Sequence, residues 1–565
     1  MDESHVDEGR TGEVTADAKR AEDARALFAA VYDGDDDAVV RLLRAGVPAE
    51  TVDEDRQTPL YLAAVAGDAG IVRLLLAAGA DPDRASGPER DDLPLCGAAV
   101  GGHTEVVRAL LAAGAAPDRR ELLGFTALTW AVGQGHAGTA EALLERGADP
   151  DLACPSGEPP LVVAARRGSP STVRALLRHG ASARAEALTE ARRWLTLDVE
   201  RHLREGLLAH DPGAETVSRR VAEDGGTTVV VEVLRDGRPA AGNEQQTGHG
   251  AIATLLEEEL GILTPYASLA ERALREGDPE RDDWIESVSA LWRRGDEETF
   301  QAAAAWCASD DPLHQAFAAD VLGQLGFAYT GTEGTGGDGA RENGDAPRTG
   351  DPQRSGEERR SGDARRAGDV RGGAEARTAD GVARPFAARA LPLLRELSRE
   401  ARDSELIQAA VTALGHHADP SALDDILRHT GHPDAAVRHR VALALCGLVP
   451  GDHAEAVATL IALSGDAARE VRDWSTTALA ELEADTPEIR EALAARMEDP
   501  DADTAAEAAR GLAIRQDPRA EGVLVRLLAD GDPESPAHGT ATDAVRHIRD
   551  DRLRRRLAAT VPRRP

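Results

Sequence analysis

The chain has 565 residues, a formal net charge of −35, 3% aromatic residues and Lys19 as its sole lysine. That length exceeds one ordinary core, so several units are expected, and the shortage of aromatics points to thin alanine–leucine cores between stacked helices. The charge repels phosphate backbones and anionic lipid, which disfavours nucleic acid and membrane surfaces and favours protein or peptide partners, basic ones first.

The alanine-, arginine- and aspartate-rich, lysine-poor usage is that of a GC-rich bacterial genome, with an acidic halophile as the other reading. The opening stretch, MDESHVDEGR onward, has no apolar run, and residues 1–21 read as a disordered terminus. No run of about 18 apolar residues occurs, so a cytoplasmic protein is expected. The cysteines Cys96, Cys154, Cys307 and Cys446 lie far apart without a CxxC pair and read as reduced, buried residues.

Residues 22–185 carry a strict beat. Gly46, Gly79, Gly114, Gly147 and Gly180 each close a leucine-rich helix at spacings of 33, 35, 33 and 33, and Gly34, Gly67, Gly102, Gly135 and Gly168 keep the same interval. Two such glycines per period predict a short helix, a tight turn, a longer helix and a loop, repeated. In one period Thr58 caps a helix, Pro59 occupies its first turn, Gly67 turns the chain, and Ile71, Val72, Leu75 and Leu76 form the next apolar stripe. Gly79 then ends that helix in a left-handed conformation.

This pattern resembles the ankyrin repeat. Thr58-Pro59-Leu60-Tyr61-Leu62-Ala63-Ala64, Gly67 and Gly79-Ala80-Asp81 carry the resemblance, with further copies around Leu95–Ala99, Thr126–Ala131 and Leu161–Ala165 and a capping copy at Ala24–Glu50. The usual first-helix histidine is Tyr61, Cys96, Thr129 or Val162 here, whereas His103 and His136 match the turn histidine and read as structural. The resemblance implies a concave groove of finger loops and first-helix faces. It places the candidate binding residues at Glu54, Asp55, Gln57, Glu89, Arg90, Asp92, Leu122, Leu123, Phe125, Gln134, Arg166 and Arg167. The third finger is distinctive, since Leu122, Leu123 and Phe125 are apolar where water is expected; they read either as a partner's anchor or as packing on a neighbouring finger.

The beat then fails. Residues 186–213 read as a capping helix region, and 214–262 as a small hairpin plus helix, with Thr227–Leu234 as the strand and Asp236-Gly237 as its turn. The Thr247–Gly250 loop opening a helix is a weak anion-site signal, and His249 is the one candidate for chemistry there, without a visible nucleophile or second ligand. Residues 263–328 return to helix, with Trp284, Ile285, Val288, Leu291 and Trp292 on one apolar face and Trp306 as a further core residue.

Residues 329–384 hold almost no apolar content and read as a disordered linker with a span of about 40 Å, a tether before a second array. Across 385–551 Leu414, Leu445, Leu479 and Leu512 repeat at 31, 34 and 33, each on a helix that follows an Asp-, Pro- or His-rich turn. With Val437, Arg438, Val441, Ala444 and Leu445, and again Val471 and Arg472, this resembles HEAT repeats of the short bacterial, bilin-lyase-like kind, with an outlying copy at 311–323. The resemblance makes Arg438 and Arg472 structural. The dense histidines His416, His417, His429, His432 and His439 lack a ligand spacing that would hold a metal. Residues 552–565 form a basic tail.

The expected fold is mainly α: two α-solenoids, ankyrin then HEAT-like, with a small α+β middle segment. The expected function is a protein–protein interaction scaffold, with no cofactor and no metal. The alternatives are an enzyme using the HEAT-like or middle segment, for example bilin lyase-like, and a nucleic-acid binder. Neither a nucleophile–base pair nor a phosphate loop is readable in the sequence.

Overall fold

The computed structural model describes residues 7–89, 92–223, 225–326, 386–533 and 535–560. The chain divides into two units, Met1–Ser287 and Val288–Pro565. Of the expected segments, the whole linker 329–384, Arg90 and the last five residues of the tail lie outside the described residues.

The first unit begins with helix α1 (Asp7–Asp33), so residues 7–21 are helical where the sequence reading left them unordered. The Ala-, Glu- and Arg-rich, proline-free stretch has the propensity for it. Helix pairs follow in layers: α2 (Asp36–Arg44); α3 (Pro59–Ala66) with α4 (Ala69–Ala77); α5 (Pro94–Val100) with α6 (Thr104–Ala112); α7 (Ala127–Gln134) with α8 (Ala137–Glu145); and α9 (Pro160–Arg167) with α10 (Pro170–Arg178). The local code acts as expected. Asp35, Thr58, Asp68, Thr126 and Ser169 each accept a first-turn backbone N–H at their helix start. Gly67, Gly135 and Gly168 turn the chain in the left-handed region. One buried cluster runs through all the layers, from Leu27 through Ile71, Leu110, Leu143 and Leu176 to Leu188 and Leu256.

The last members of that cluster belong to helices the sequence reading left out of the stack. Helix α11 (Arg184–Leu195) packs on α9, and its partner is α13 (His249–Glu259), which also touches α10. These are the contacts that the two helices of every earlier layer make. Helix α13 also ends as its predecessors do. Gly261 (φ +68) donates to the Glu258 carbonyl and Ile262 to that of Glu257, as Gly180 and Ala181 do to Leu177 and Leu176. The stack therefore has a sixth layer, split by residues 196–247. The expected capping region and hairpin-plus-helix segment are corrected accordingly: the separation of α11 from α13 hides the period.

The inserted residues form α12 (Val199–Leu208) and a three-stranded antiparallel meander, β1 (Glu215–Glu223), β2 (Gly226–Arg235) and β3 (Arg238–Gln246). The reading foresaw β2 and its Asp236-Gly237 turn, and a return strand as an option, but missed β1. Register pairs Val221 with Thr228 and Thr228 with Gln246, so these side chains share a face. Val229, Val231 and Val233, on one face of β2, are buried. Helix α14 (Tyr266–Leu274) is tied to the sixth layer by Glu257, which takes both Arg272 nitrogens at 2.7 Å and Arg192 at 2.9 Å. Helix α15 (Asp282–Arg294) contains the boundary between the units; Trp284 on it is buried, while Ile285, expected on the apolar face, is exposed.

The second unit is an array of antiparallel helices. Its inner row runs α17 (Pro312–Leu325), Ser404–His417, Ala435–Leu445, Arg469–Glu481, Ala502–Ile514 and Pro536–His547, each packed on the next. Neighbours approach closely at small residues: a Cβ on Gly415 would lie 2.9 Å from Ala444, and one on Gly511 2.8 Å from Ala480. Arg438 binds Asp466 through two nitrogens at 2.8 Å, and Arg472 binds Asp499 at 2.9 and 3.0 Å, each linking its own turn to the next. Helix α17 stacks directly on Ser404–His417, and the His417 ring lies 3.1 Å from the Leu322 carbonyl. Phe386 also stacks on Phe300 of α16 (Glu297–Trp306), with ring centroids 5.2 Å apart. Both ends of the expected tether thus belong to one array. The expectation of a tether standing before the second array is corrected, because the copy at 311–323 is a member of the row.

Candidate functional site

The resemblance places a groove at the C-terminal ends of the first helix of each layer. Equivalent positions there are Tyr32, Val65, Val100, Gly133 and Arg166, one per layer. Tyr32, Val65 and Val100 are 67%, 44% and 40% exposed, and Gly133 opens on free space. Exposed apolar side chains therefore form a bare stripe of equivalent positions over the first three layers, and the fourth is open. The carbonyls beneath it are engaged from below: His103 reaches Val65 O and His136 reaches Val100 O, both at 3.1 Å. These histidines are structural, as expected. Each ring fills the space over the preceding layer's glycine, where a Cβ on Gly67 or Gly102 would collide with it.

The loops alongside are closed by short-range bonds. Gln57 donates its backbone N–H to Asp53 at 2.7 Å, and Ser86 and Asp92 exchange backbone bonds at 2.8 and 3.1 Å. Glu54, Asp55 and Glu89 remain at the exposed tips. At the third loop the apolar trio divides. Phe125 stacks on Trp130 with centroids 4.4 Å apart, and the indole donates to Glu121 at 2.7 Å. Leu122 and Leu123 stay 63% and 68% exposed. Arg120 braces this loop through the carbonyls of Gly124 and Ala153. In the same layer Thr129, standing where the family has histidine, replaces that ring's bond by a capping box with Thr126.

Gln134 is exposed at the groove, but Arg166 and Arg167 are not free to meet a partner there. Arg166 is held by Glu158 and, at 3.0 Å, by Glu190. Arg167 donates to the Glu244 carbonyl and carboxylate at 2.8 and 2.6 Å. Gln245 donates to the carbonyls of Arg166 and Arg167 at 2.8 and 2.5 Å, and Gly248 N to Gly168 O at 3.1 Å. The meander therefore sits on the fifth layer at Arg167, Gly168 and the Arg166 carbonyl. Sequence reasoning missed this because the covering residues lie about 80 positions downstream with no motif.

The chemical candidates resolve as structure. His249 is buried, stacks on Trp194, and sits 3.2 Å from Arg166 O; burial lowers its pKa to about 4, so the ring is neutral. In the second unit Ser398 and His429 lie 3.1 Å apart, yet the serine hydroxyl donates to Asp425 O and is fully buried. Burial raises the pKa values of Cys96 and Cys154, and that of Cys307 to about 12, which keeps them thiols. His417 and His429 are committed to backbone carbonyls at 3.1 and 3.0 Å. Among the described residues no group of three His, Cys, Asp or Glu is disposed to hold a metal, and no helix is long and apolar enough to cross a membrane.

Comparison with known families gives ankyrin repeats in three copies over residues 12–86 and 95–187, and HEAT repeats over 390–480. The ankyrin match ends inside α11, ahead of the insertion that separates the sixth layer's helices. No curated protein matches the chain.

Proposed function

From a chain that carries ankyrin repeats in its first unit and HEAT repeats in its second, we propose an adaptor that holds a segment of a partner protein in the ankyrin groove. Both repeat types are generally protein-interaction modules. The single observation that carries the reading is the pair Leu122 and Leu123, held out on a braced loop beside the bare stripe of Tyr32, Val65 and Val100. Exposed apolar side chains cost solubility, and a contiguous set on a concave face is a contact surface waiting for a partner. Glu54, Asp55 and Glu89 at the neighbouring tips, on a chain of net charge −35, favour a basic segment.

The test is a pull-down from the source cell with the full chain against its Leu122→Asp/Leu123→Asp variant. Proteins retained by the first and lost by the second are groove partners. Equal retention by both overturns the assignment of this face.

A further inference from the structure

We infer that the meander inserted in the sixth layer is a built-in stop, which closes the groove after the fourth layer and fixes the length of partner segment it accepts. This rests on the groove reading above and adds the specificity element to it.

The floor changes character between Gly133 and Arg167. Up to Gly133 the stripe is open. One layer on, Gln245 occupies both available carbonyls, and Arg167 is turned onto Glu244. Gln246 lies directly on the turn glycines: its side-chain oxygen would stand 2.7 Å from a Cβ at Gly135, and its backbone carbonyl would collide with one at Gly168. In the second and third layers Val65 O and Val100 O each receive a turn histidine, and the groove above stays bare. In the fifth, Arg166 O receives His249 and Gln245 together.

The stop is rigidly mounted. Gln246 pairs with Thr228 on β2, and Thr228 with Val221 on β1. The sheet's base is held at Gly225, whose carbonyl accepts from Asp282 N at 2.7 Å, and at Gly226, whose carbonyl accepts from Arg281 at 2.6 Å. Because α11 and α13 close one layer around the insertion, both of its ends are fixed to the stack. Its contacts onto Arg166 and Arg167 are hydrogen bonds and an ion pair, so the meander covers the floor without adding an apolar anchor there.

A length follows. Packed layers are about 8–10 Å apart. Three intervals, from Tyr32 to Gly133, span about 25–30 Å. An extended chain rising about 3.3 Å per residue fills that with roughly eight or nine residues. Residues beyond that number find no further floor past Gly133.

The experiment uses fluorescent peptides of alternating arginine and leucine, in a series of increasing length, titrated into the full chain. Affinity is expected to rise with length and level off at roughly nine residues. In a variant with residues 214–246 replaced by a short Gly-Ser link it is expected to keep rising, by at least about tenfold, the worth of one further anchored side chain. The same plateau in both proteins overturns the stop. Binding of no peptide by either protein overturns the basic-peptide reading instead. The stop is then judged by hydrogen exchange in Arg167→Glu and in Arg167→Glu/Glu244→Arg. Faster exchange over 238–246 in the single variant and recovery in the double supports a meander docked on the groove, and unchanged exchange in both overturns it. Where the excised variant does not fold, Arg167→Glu takes its place in the peptide titration.

Discussion

The Nε2 of His249 lies 3.2 Å from the carbonyl oxygen of Arg166, the same relationship that joins His103 to Val65 and His136 to Val100 at 3.1 Å. Where the earlier pairs lie 38 and 36 residues apart, this one spans 83. The bond that links successive layers thus recurs between the fifth and the split sixth.

His249→Ala should destabilise the first unit by about 3 kcal/mol, since it removes a buried ring together with the partner of a carbonyl. Urea unfolding followed by tryptophan fluorescence measures it, Trp194 being stacked on the ring. The pH dependence has a definite sign. With a folded pKa of about 4 against an ordinary value of 6.5, the native state binds fewer protons than the unfolded chain between those values. Stability is complete above pH 6.5 and falls as the pH drops toward 4, and the His249→Ala variant should lose that dependence.

Gly168 and Gly180 both take left-handed conformations, φ +75 and +87, and alanine should separate them. At Gly180 nothing lies within 4 Å of a Cβ, so Gly180→Ala should cost about 1–2 kcal/mol of backbone strain alone. At Gly168 the Cβ meets the Gln246 carbonyl and, at 2.7 Å, the His249 ring, so Gly168→Ala should cost at least about 3 kcal/mol and loosen the meander. Paired chemical denaturation curves decide it.

Asp283 is the opposite case to His249. It is buried at the start of α15 and accepts from Ala251 N at 2.6 Å, and burial pushes its pKa up to about 7, with Glu276 and Asp282 adding and Arg275 subtracting. The native state therefore holds the proton longer than the unfolded chain, and stability is lost as the pH rises from about 4 to 7. Asp283→Asn keeps the acceptor and removes the charge. It should stabilise by on the order of 2 kcal/mol at pH 8 and change little at pH 4, as read from melting curves at the two values.

Leu122→Asp/Leu123→Asp should leave unfolding unchanged to within about 0.5 kcal/mol, because both side chains are solvated. Phe125→Ser should destabilise by about 1–2 kcal/mol through loss of its stack on Trp130. A melt that fell equally for both variants would mean the leucines are packing residues.

In the second unit Arg515 is buried and donates to the carbonyls of Leu479, Ala480, Leu482 and Ala484 at 2.6–3.1 Å, capping the helix Arg469–Glu481 from the next repeat. Arg515→Met should cost about 3 kcal/mol by orphaning those carbonyls, while Arg519→Met, at an exposed residue, should leave the melt close to that of the parent chain. Differential scanning calorimetry of the full chain separates them.

Sequence alone determined the layers. A helix–turn–helix repeat needs small residues where helices touch and glycine where φ is positive, and those demands are local and periodic, so Gly67, Gly135 and Val437-Arg438 announce them. The exposure of Leu122 and Leu123 was legible as an anomaly, though only packing separated them from Phe125. Tertiary structure alone decided where each array is interrupted. His249 belongs to a layer begun before Leu195, and α17 to a row resumed after Phe386, because a stack joins surfaces that fit regardless of how much chain lies between them. The same long-range fit turned Arg167 from a groove residue into an anchor for Glu244 and set Gln245 on the carbonyls of Arg166 and Arg167, a partnership that no spacing in the chain encodes.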